Sequence, residues 1–361
     1  MSVLPDTFII AAFQEKLLAW YDATPRPMPW KETNNPYHIW LSEIILQQTR
    51  VAQGLPYYLR FVEKYPTINA LADAPEEEVF KLWEGLGYYS RARNLHATAK
   101  FIAYTLNGNF PDTFAALLSL QGVGHYTAAA IASFAYNLPH AVIDGNVYRV
   151  LSRILGSATP IDSAEGKKYF AATAQALLNL SQPARYNQAI MNFGALHCVP
   201  QNPHCSSCPF QEICVGFQNN CVGSLPVRQK KIAINTRYFY YYIIQDANND
   251  ILIQRRNGND IWRGLYEFPM EEVTDVSNVE NDKKNITLPC LQSIPFRVLR
   301  VSKPYRQQLT HQKIIAIFME IQINTTHTTD SFLVIPQKDL SKYALPRIID
   351  LYIKDDLLTL L

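Results

Sequence analysis

Residues 120–135 read LQGVGHYTAAAIASFA, and residues 142–153 read VIDGNVYRVLSR. Two helical runs flank the turn Gly122-Val123-Gly124, and a third opens just past Asp144. Glycines permit a tight turn with positive φ and leave backbone N–H groups uncovered. Such groups at the start of the next helix make a site for one phosphate. Taken alone, a GxG turn reads as a plain connection between helices. Asp144 likewise reads as the N-cap of a helix starting near Val147, a position where Asp is favoured.

Working outward, residues 1–225 read as almost wholly helical. Ser42 precedes EIILQQTRV, Pro75 precedes three glutamates, and Asp112-Thr113 precedes FAALLSL, each a helix-start signal. Gly85, Gly87, Gly108, Gly122 and Gly124 punctuate the runs as turns or C-caps. A short basic linker follows, Leu225 to Lys231, and the texture then changes. Tyr238–Ile244 and Ile251–Arg255, separated by DANND, read as a β-hairpin. Strand-like runs recur at Phe296–Val301 and Ile314–Ile323, and Pro346–Leu361 reads as a closing helix. The polar stretch Thr274–Asn285 reads as a loop.

The chain has 361 residues, 48% of them hydrophobic and 18% charged, which suits a globular protein with a full core. No apolar run approaches the roughly 18 residues a membrane span needs, and the first residues read as an amphipathic helix rather than a secretion signal. Net charge is only +2. Residues 1–225 hold 15 Lys+Arg against 16 Asp+Glu. Bulk charge therefore gives no argument for nucleic-acid binding, and any phosphate contacts must be local.

Four of the six cysteines fall close together, at Cys198, Cys205, Cys208 and Cys214. Such a set reads as a metal site in a reducing cytoplasm rather than a disulfide framework. Spacing alone admits zinc and an iron–sulfur cluster alike. His197 and His204, beside these cysteines, read as solvent-facing polar residues.

This cysteine spacing at the end of a helical domain is similar to that of the endonuclease III and MutY families of DNA glycosylases, which carry a four-iron, four-sulfur [4Fe-4S] cluster there. The hairpin with its downstream aspartate resembles the helix-hairpin-helix glycosylase superfamily, in which the residue matching Asp144 lies in the active site. LSEIILQQTRV, residues 41–51, looks like the MutY signature, which implies Glu43 as catalytic acid. Read without the family, Glu43 is a solvated helix residue, although Leu41, Ile44, Ile45 and Leu46 around it favour burial. The relatives that also cut the strand place a lysine where this chain has Tyr126, and a phenol cannot form an imine. The resemblance thus implies a monofunctional glycosylase, with Tyr126 and Asn146 orienting the carboxylates and water.

PMPW, residues 27–30, resembles the segment lining the adenine pocket, which implies substrate contact by Trp30 and, in the same family frame, by Arg26, Leu46 and Thr49. WEGLGYYSRARNL resembles the segment that inserts at the lesion, so Gln48 and Tyr88 match residues that wedge into the duplex. Trp30 and Tyr88 read equally well as core aromatics. WRGLYEFP looks like the Nudix-fold C-terminal domain of MutY, but the magnesium-binding Nudix box is missing after Pro269. RQQLTHQKI aligns with the loop whose Phe-Ser-His tripeptide senses 8-oxoguanine; here it is Leu309-Thr310-His311, which keeps a hydroxyl and lacks the ring.

The expectation is a multidomain protein of the MutY type. Residues 1–225 form an all-α helix-hairpin-helix glycosylase region with a [4Fe-4S] cluster loop, 226–236 a linker, and 237–361 an α+β Nudix-like lesion-recognition domain. Its expected partner is double-stranded DNA with adenine opposite 8-oxoguanine or guanine, met by a monomer in the cytoplasm at the nucleoid. Gly122 and Gly124 join the DNA-contacting set. A bifunctional enzyme of the endonuclease III type, or a non-enzymatic iron–sulfur DNA-binding protein, is the alternative.

Overall fold

The computed structural model describes residues 10–229, 233–276, 286, 288–291, 294–324 and 332–355. Two compact units divide it. One holds the described residues of Met1–Asp73 and Ala97–Lys231, the other those of Ala74–His96 and Ile232–Leu361.

The helices run in order α1 (Ile10–Ala23), α2 (Pro36–Leu46), α3 (Val51–Lys64), α4 (Ile68–Asp73), α5 (Glu76–Trp83), α6 (Ser90–Lys100), α7 (Phe114–Leu118), α8 (His125–Tyr136), α9 (Gly145–Ile154), α10 (Ala164–Leu177), α11 (Pro183–Leu196) and α12 (Val215–Gln218). Helix α5 and the residues of α6 through His96 group with the second unit. Within the first unit α9 and α1 both pack on α11. Their shared core includes Phe13 and Leu17, Val150 and Leu151, and Ile190 and Phe193, all removed from water. Helix α8 is buried over most of its surface, and Ala128, Ala129, Ala130 and Ala132 keep it slim enough for α2 to lie close.

Two sequence expectations need correction in this unit. Ser42 does not start a helix: α2 begins at Pro36, where Asn35 accepts from the Tyr37 N–H at 2.9 Å. Ser42 is buried mid-helix, and its hydroxyl bonds back to the Ile39 carbonyl at 2.7 Å. The expected [4Fe-4S] cluster loop is the second. Cys198, Cys205, Cys208 and Cys214 do line one small cavity. Yet among the described residues no group of three or more His, Cys, Asp or Glu side chains is placed to hold a metal ion. The thiols instead engage their surroundings: Arg153 Nη1 donates to Cys198 Sγ and Cys214 Sγ donates to the Arg153 carbonyl, both at 3.4 Å. Burial raises the thiols of Cys205 and Cys214, and pushes Cys208 up to about 11. The iron–sulfur cofactor, and the assignment to an iron–sulfur, metal-binding member of the family, do not stand.

The second unit is built on one sheet, with strands β1 (Asn235–Gln245), β2 (Asp250–Arg255), β3 (Tyr266–Glu267), β4 (Met270–Val273), β5 (Phe296–Val301), β6 (Tyr305–Gln308), β7 (Gln312–Ile323) and β8 (Leu333–Pro336). The order β3-β2-β1-β7-β5 forms its spine, with β4 on β1, β6 on β7 and β8 on β2. Strand β1 pairs in parallel with β7, Tyr240 opposite Ile317. From Tyr238 to Ile244 strand β1 is an unbroken run of aromatic and branched residues because both faces are covered. Phe239, Tyr241 and Ile243 enter one core, and Tyr240, Tyr242 and Ile244 the other. The closing helix α13 (Arg347–Asp355) covers the first face, its Tyr352 ring stacked on Phe318 at 4.1 Å. Pro346 precedes this helix rather than opening it, and residues 356–361 of the expected final helix lie outside the described residues, as do 277–285 of the expected loop and 230–232 of the expected linker.

Residues 74–96 are tied into this unit by polar contacts. Lys81 Nζ donates to the Tyr343 carbonyl at 3.2 Å, and the Leu345 N–H donates to Glu84 at 3.1 Å. Gly264 sits at φ +89 with the Phe80 ring so close that a Cβ would lie 2.6 Å from it, so only glycine fits there.

Candidate active site

Three helix ends meet around a cavity of about 530 Å³ in the first unit. Helix α2 supplies Glu43, the first turn of α8 supplies Tyr126, and the start of α9 supplies Asp144 and Asn146. Arg26, Trp30, Leu46 and Thr49 complete the predicted residues that line it. Trp30 is buried and sets its ring edge-on to Tyr58 at 5.1 Å.

Glu43 is only 6% exposed. Burial raises its carboxyl to about 7, and the Asp144 charge adds to this, while a hydrogen bond from Tyr126 works the other way. Burial and the two nearby carboxylates drive the Tyr126 phenol well above its ordinary value, so it remains a donor. Asp144 is the N-cap of α9, accepting from the Val147 N–H at 2.8 Å and from Asn146 Nδ2 at 2.6 Å. Burial raises its carboxyl too, but these bonds and the Arg149 charge pull back toward the ionised form. Glu43 is thus poised to hold a proton near neutrality, while Asp144 accepts hydrogen bonds that oppose the rise burial imposes on it. Two buried carboxyls in one cavity, hydrogen-bonded in different ways, suit acid–base work.

Asn146 is itself held. Arg149 Nη2 donates to its Oδ1 at 2.8 Å and to the Gly194 carbonyl at 2.6 Å, while Arg149 Nε donates to the Cys198 carbonyl at 2.7 Å. This fixes the amide with its NH₂ toward Asp144. The buried guanidinium also links the aspartate to the first residue of the cysteine segment. Sequence reasoning missed Arg149, although its place three residues after Asn146 on one helix face was a readable signal. It also missed Lys31 and Asn192, whose side chains bond at 3.0 Å in the cavity wall. Burial, with the Arg26 charge, lowers Lys31 to about 8.

The close approach of α9 and α11 depends on Gly194. A Cβ there would lie 2.6 Å from Asn146 Cβ and 3.0 Å from its carbonyl oxygen. Gly194→Ala is therefore expected to cost about 1–3 kcal/mol, read as a lower urea midpoint; an unchanged midpoint would show that the helices part freely.

The remaining predicted residues lie outside the cavity. Gln48 follows α2, exposed and at φ 54; Tyr88, in the second unit, is exposed at φ 50. Non-glycine residues in this left-handed region carry strain and mark candidate functional positions. Gly122 has φ 79 and needs to be glycine for that reason; Gly124 is extended, with open space beside it. No side chain caps α8, which leaves its first N–H groups uncovered. Leu309-Thr310-His311 forms the turn between β6 and β7, closed by the Leu309 N–H to the Gln312 carbonyl at 2.7 Å. The Tyr88 hydroxyl is hydrogen-bonded to that of Thr310.

Residues 41–182 match the model of the HhH-GPD superfamily of base excision DNA repair proteins, and residues 240–355 match that of the NUDIX domain. Among curated proteins, an adenine DNA glycosylase of Buchnera aphidicola subsp. Baizongia pistaciae is 37% identical over 258 residues, 71% of this chain and 73% of the relative. That of Mus musculus is 41% identical over 246 residues, 64% of this chain and 48% of its own, so the chain spans about half the length of this mammalian relative. Among solved structures, a thermostable thymine-DNA glycosylase matches with a TM-score of 0.55 and 27% identity, over 58% of this chain and 97% of its own. Among the described residues no helix is long and apolar enough to cross a membrane.

Proposed function

The chain belongs to the adenine DNA glycosylase family within the HhH-GPD superfamily, and on that premise we propose that it removes adenine from mispairs with 8-oxoguanine or guanine by hydrolysing the N-glycosidic bond. The observation that carries this reading is the buried Glu43, raised to about 7, in one cavity with Asp144, which accepts from the Val147 N–H and from Asn146. Glu43 delivers its proton to a ring nitrogen of the flipped base and makes it a better leaving group. Asp144 stabilises the positive charge that grows on the sugar as the base leaves, until water adds at that carbon and gives up a proton to solvent, in the two-carboxylate logic of sugar hydrolysis. Asn146, locked by Arg149, holds Asp144 in line, and Tyr126 holds Glu43. Trp30, with Arg26, Leu46 and Thr49, shapes the pocket around a base that has left the stack.

Gln48 and Tyr88 act as wedges in the duplex, and Gly122 and Gly124 open the α8 N-terminus to a phosphate. In the region 237–361, Thr310 offers its hydroxyl to the oxidised guanine, flanked by Leu309 and His311. The region 1–225 performs the chemistry.

Tyr126 carries no amine, so the position that strand-cutting relatives fill with lysine offers no nucleophile for an imine to the sugar. Base release should leave the strand intact until hot alkali, and borohydride should trap little adduct. Tyr126→Lys should gain trapping. Strong trapping by the unaltered protein would contradict this reading.

A further inference from the structure

A second cavity, of about 550 Å³, lies in the same unit, with Tyr126 in the walls of both. The catalytic cavity sets Glu43 and Asp144 among Arg26, Lys31, Arg50 and Arg149, whereas the second is lined by Lys167, Lys168, His125 and His140 and, among the described residues, by no carboxylate. Lys167 and Lys168 bring two positive charges to one wall, in a region whose Lys+Arg and Asp+Glu counts nearly cancel, at 15 and 16 over residues 1–225.

The walls are built rather than accidental. Lys167, Ala171 and Gln175 fall at successive i, i+4 positions of α10 and share a face. Gln175 pins the opposite wall by donating to the Pro139 carbonyl at 2.9 Å and accepting from the Ala141 N–H at 3.1 Å. The segment so pinned leads directly to Asp144. Phe114 lies flat against His140 at 4.5 Å, which offers an aromatic surface beside the lysines. Positive groups, a flat ring pair and a space of this size suit one nucleotide.

We propose that this cavity receives the nucleotide next to the one being cleaved, on the same strand, with Lys167 and Lys168 on its phosphate and the Phe114–His140 pair against its sugar or base. The inference rests on the DNA-glycosylase reading and deepens it. The substrate strand would run from the catalytic cavity over Tyr126 into the second cavity, and would press on the segment that positions Asp144.

The test is binding of a duplex with a tetrahydrofuran abasic analogue opposite 8-oxoguanine, titrated between 50 and 200 mM KCl. Losing one phosphate contact makes the salt dependence shallower by about 1 in log K against log salt. The double variant K167Q/K168Q should therefore bind with a slope shallower by about 1–2. Ala171→Trp, which fills the cavity and keeps both charges, should weaken binding with its melting temperature retained. An unchanged slope in the folded double variant would overturn the proposal. So would displacement of the duplex by millimolar AMP from the wild type and not from the double variant, since the site would then serve free nucleotides. Either result with adenine release intact in the wild type would remove this inference and leave the proposed function standing.

Discussion

Glu43→Gln is expected to abolish base release while leaving duplex binding in place. The amide keeps the shape of the side chain but cannot deliver a proton, and loss of a positioned acid typically costs about 10²–10⁴-fold. The wild type should show the same dependence through pH. With Glu43 at about 7, the single-turnover rate should fall as pH rises through that value, approaching tenfold per pH unit beyond it. A rate flat from pH 6 to pH 9 would remove Glu43 as the acid. Stability should move the opposite way in the variant. Below about 4.5 both folded and unfolded chains hold the Glu43 proton. Between there and about 7 the unfolded chain loses it first, so folding becomes less favourable. The full penalty, on the order of 3 kcal/mol, is present above about 7. Glu43→Gln lacks it, so its stability relative to the wild type should rise by roughly that amount between pH 5 and pH 8, as read by urea denaturation.

Asp144→Asn is expected to be as damaging to the chemistry and nearly silent in the fold. Asn caps helices about as well as Asp, so the bond from the Val147 N–H can persist. The new amide must face the Asn146 donor, at a cost of about 1 kcal/mol. What disappears is the negative charge. Rates should fall by on the order of 10²-fold or more, the scale of losing one preorganised electrostatic partner. Asp144→Ala should lose the cap as well, a further ~1 kcal/mol of stability, with no greater loss of rate. Near-normal turnover by Asp144→Asn would reduce Asp144 to its capping role.

Much of the fold was legible because its signals are local. The GVG turn, the cap at Asp144 and the β1 run each declare themselves within a dozen residues. Ser42 shows the limit: a serine before an apolar run looks like a cap, but the turn ahead of it, opened by Asn35 and Pro36, was already helix. The grouping of residues 74–96 with the sheet unit rests on contacts such as Lys81 to Tyr343, 262 positions apart, which no local pattern encodes. The cysteines failed differently. Their spacing is compatible with several centres, but spacing fixes only reach, not the direction in which thiols point. Arg149 was in view within VYRVLSR; its partners at Gly194 and Cys198 were not, because they arrive from α11 and the residues just past its end.

Adenine release from a mispair is the reaction we propose for this cavity. It is tested most directly by identifying the free base from duplexes carrying adenine opposite 8-oxoguanine, adenine opposite guanine, thymine opposite guanine, and 8-oxoguanine opposite cytosine. Mass spectrometry should find adenine from the first two and no base from the others. Release of thymine, or of no base at all, would contradict the account.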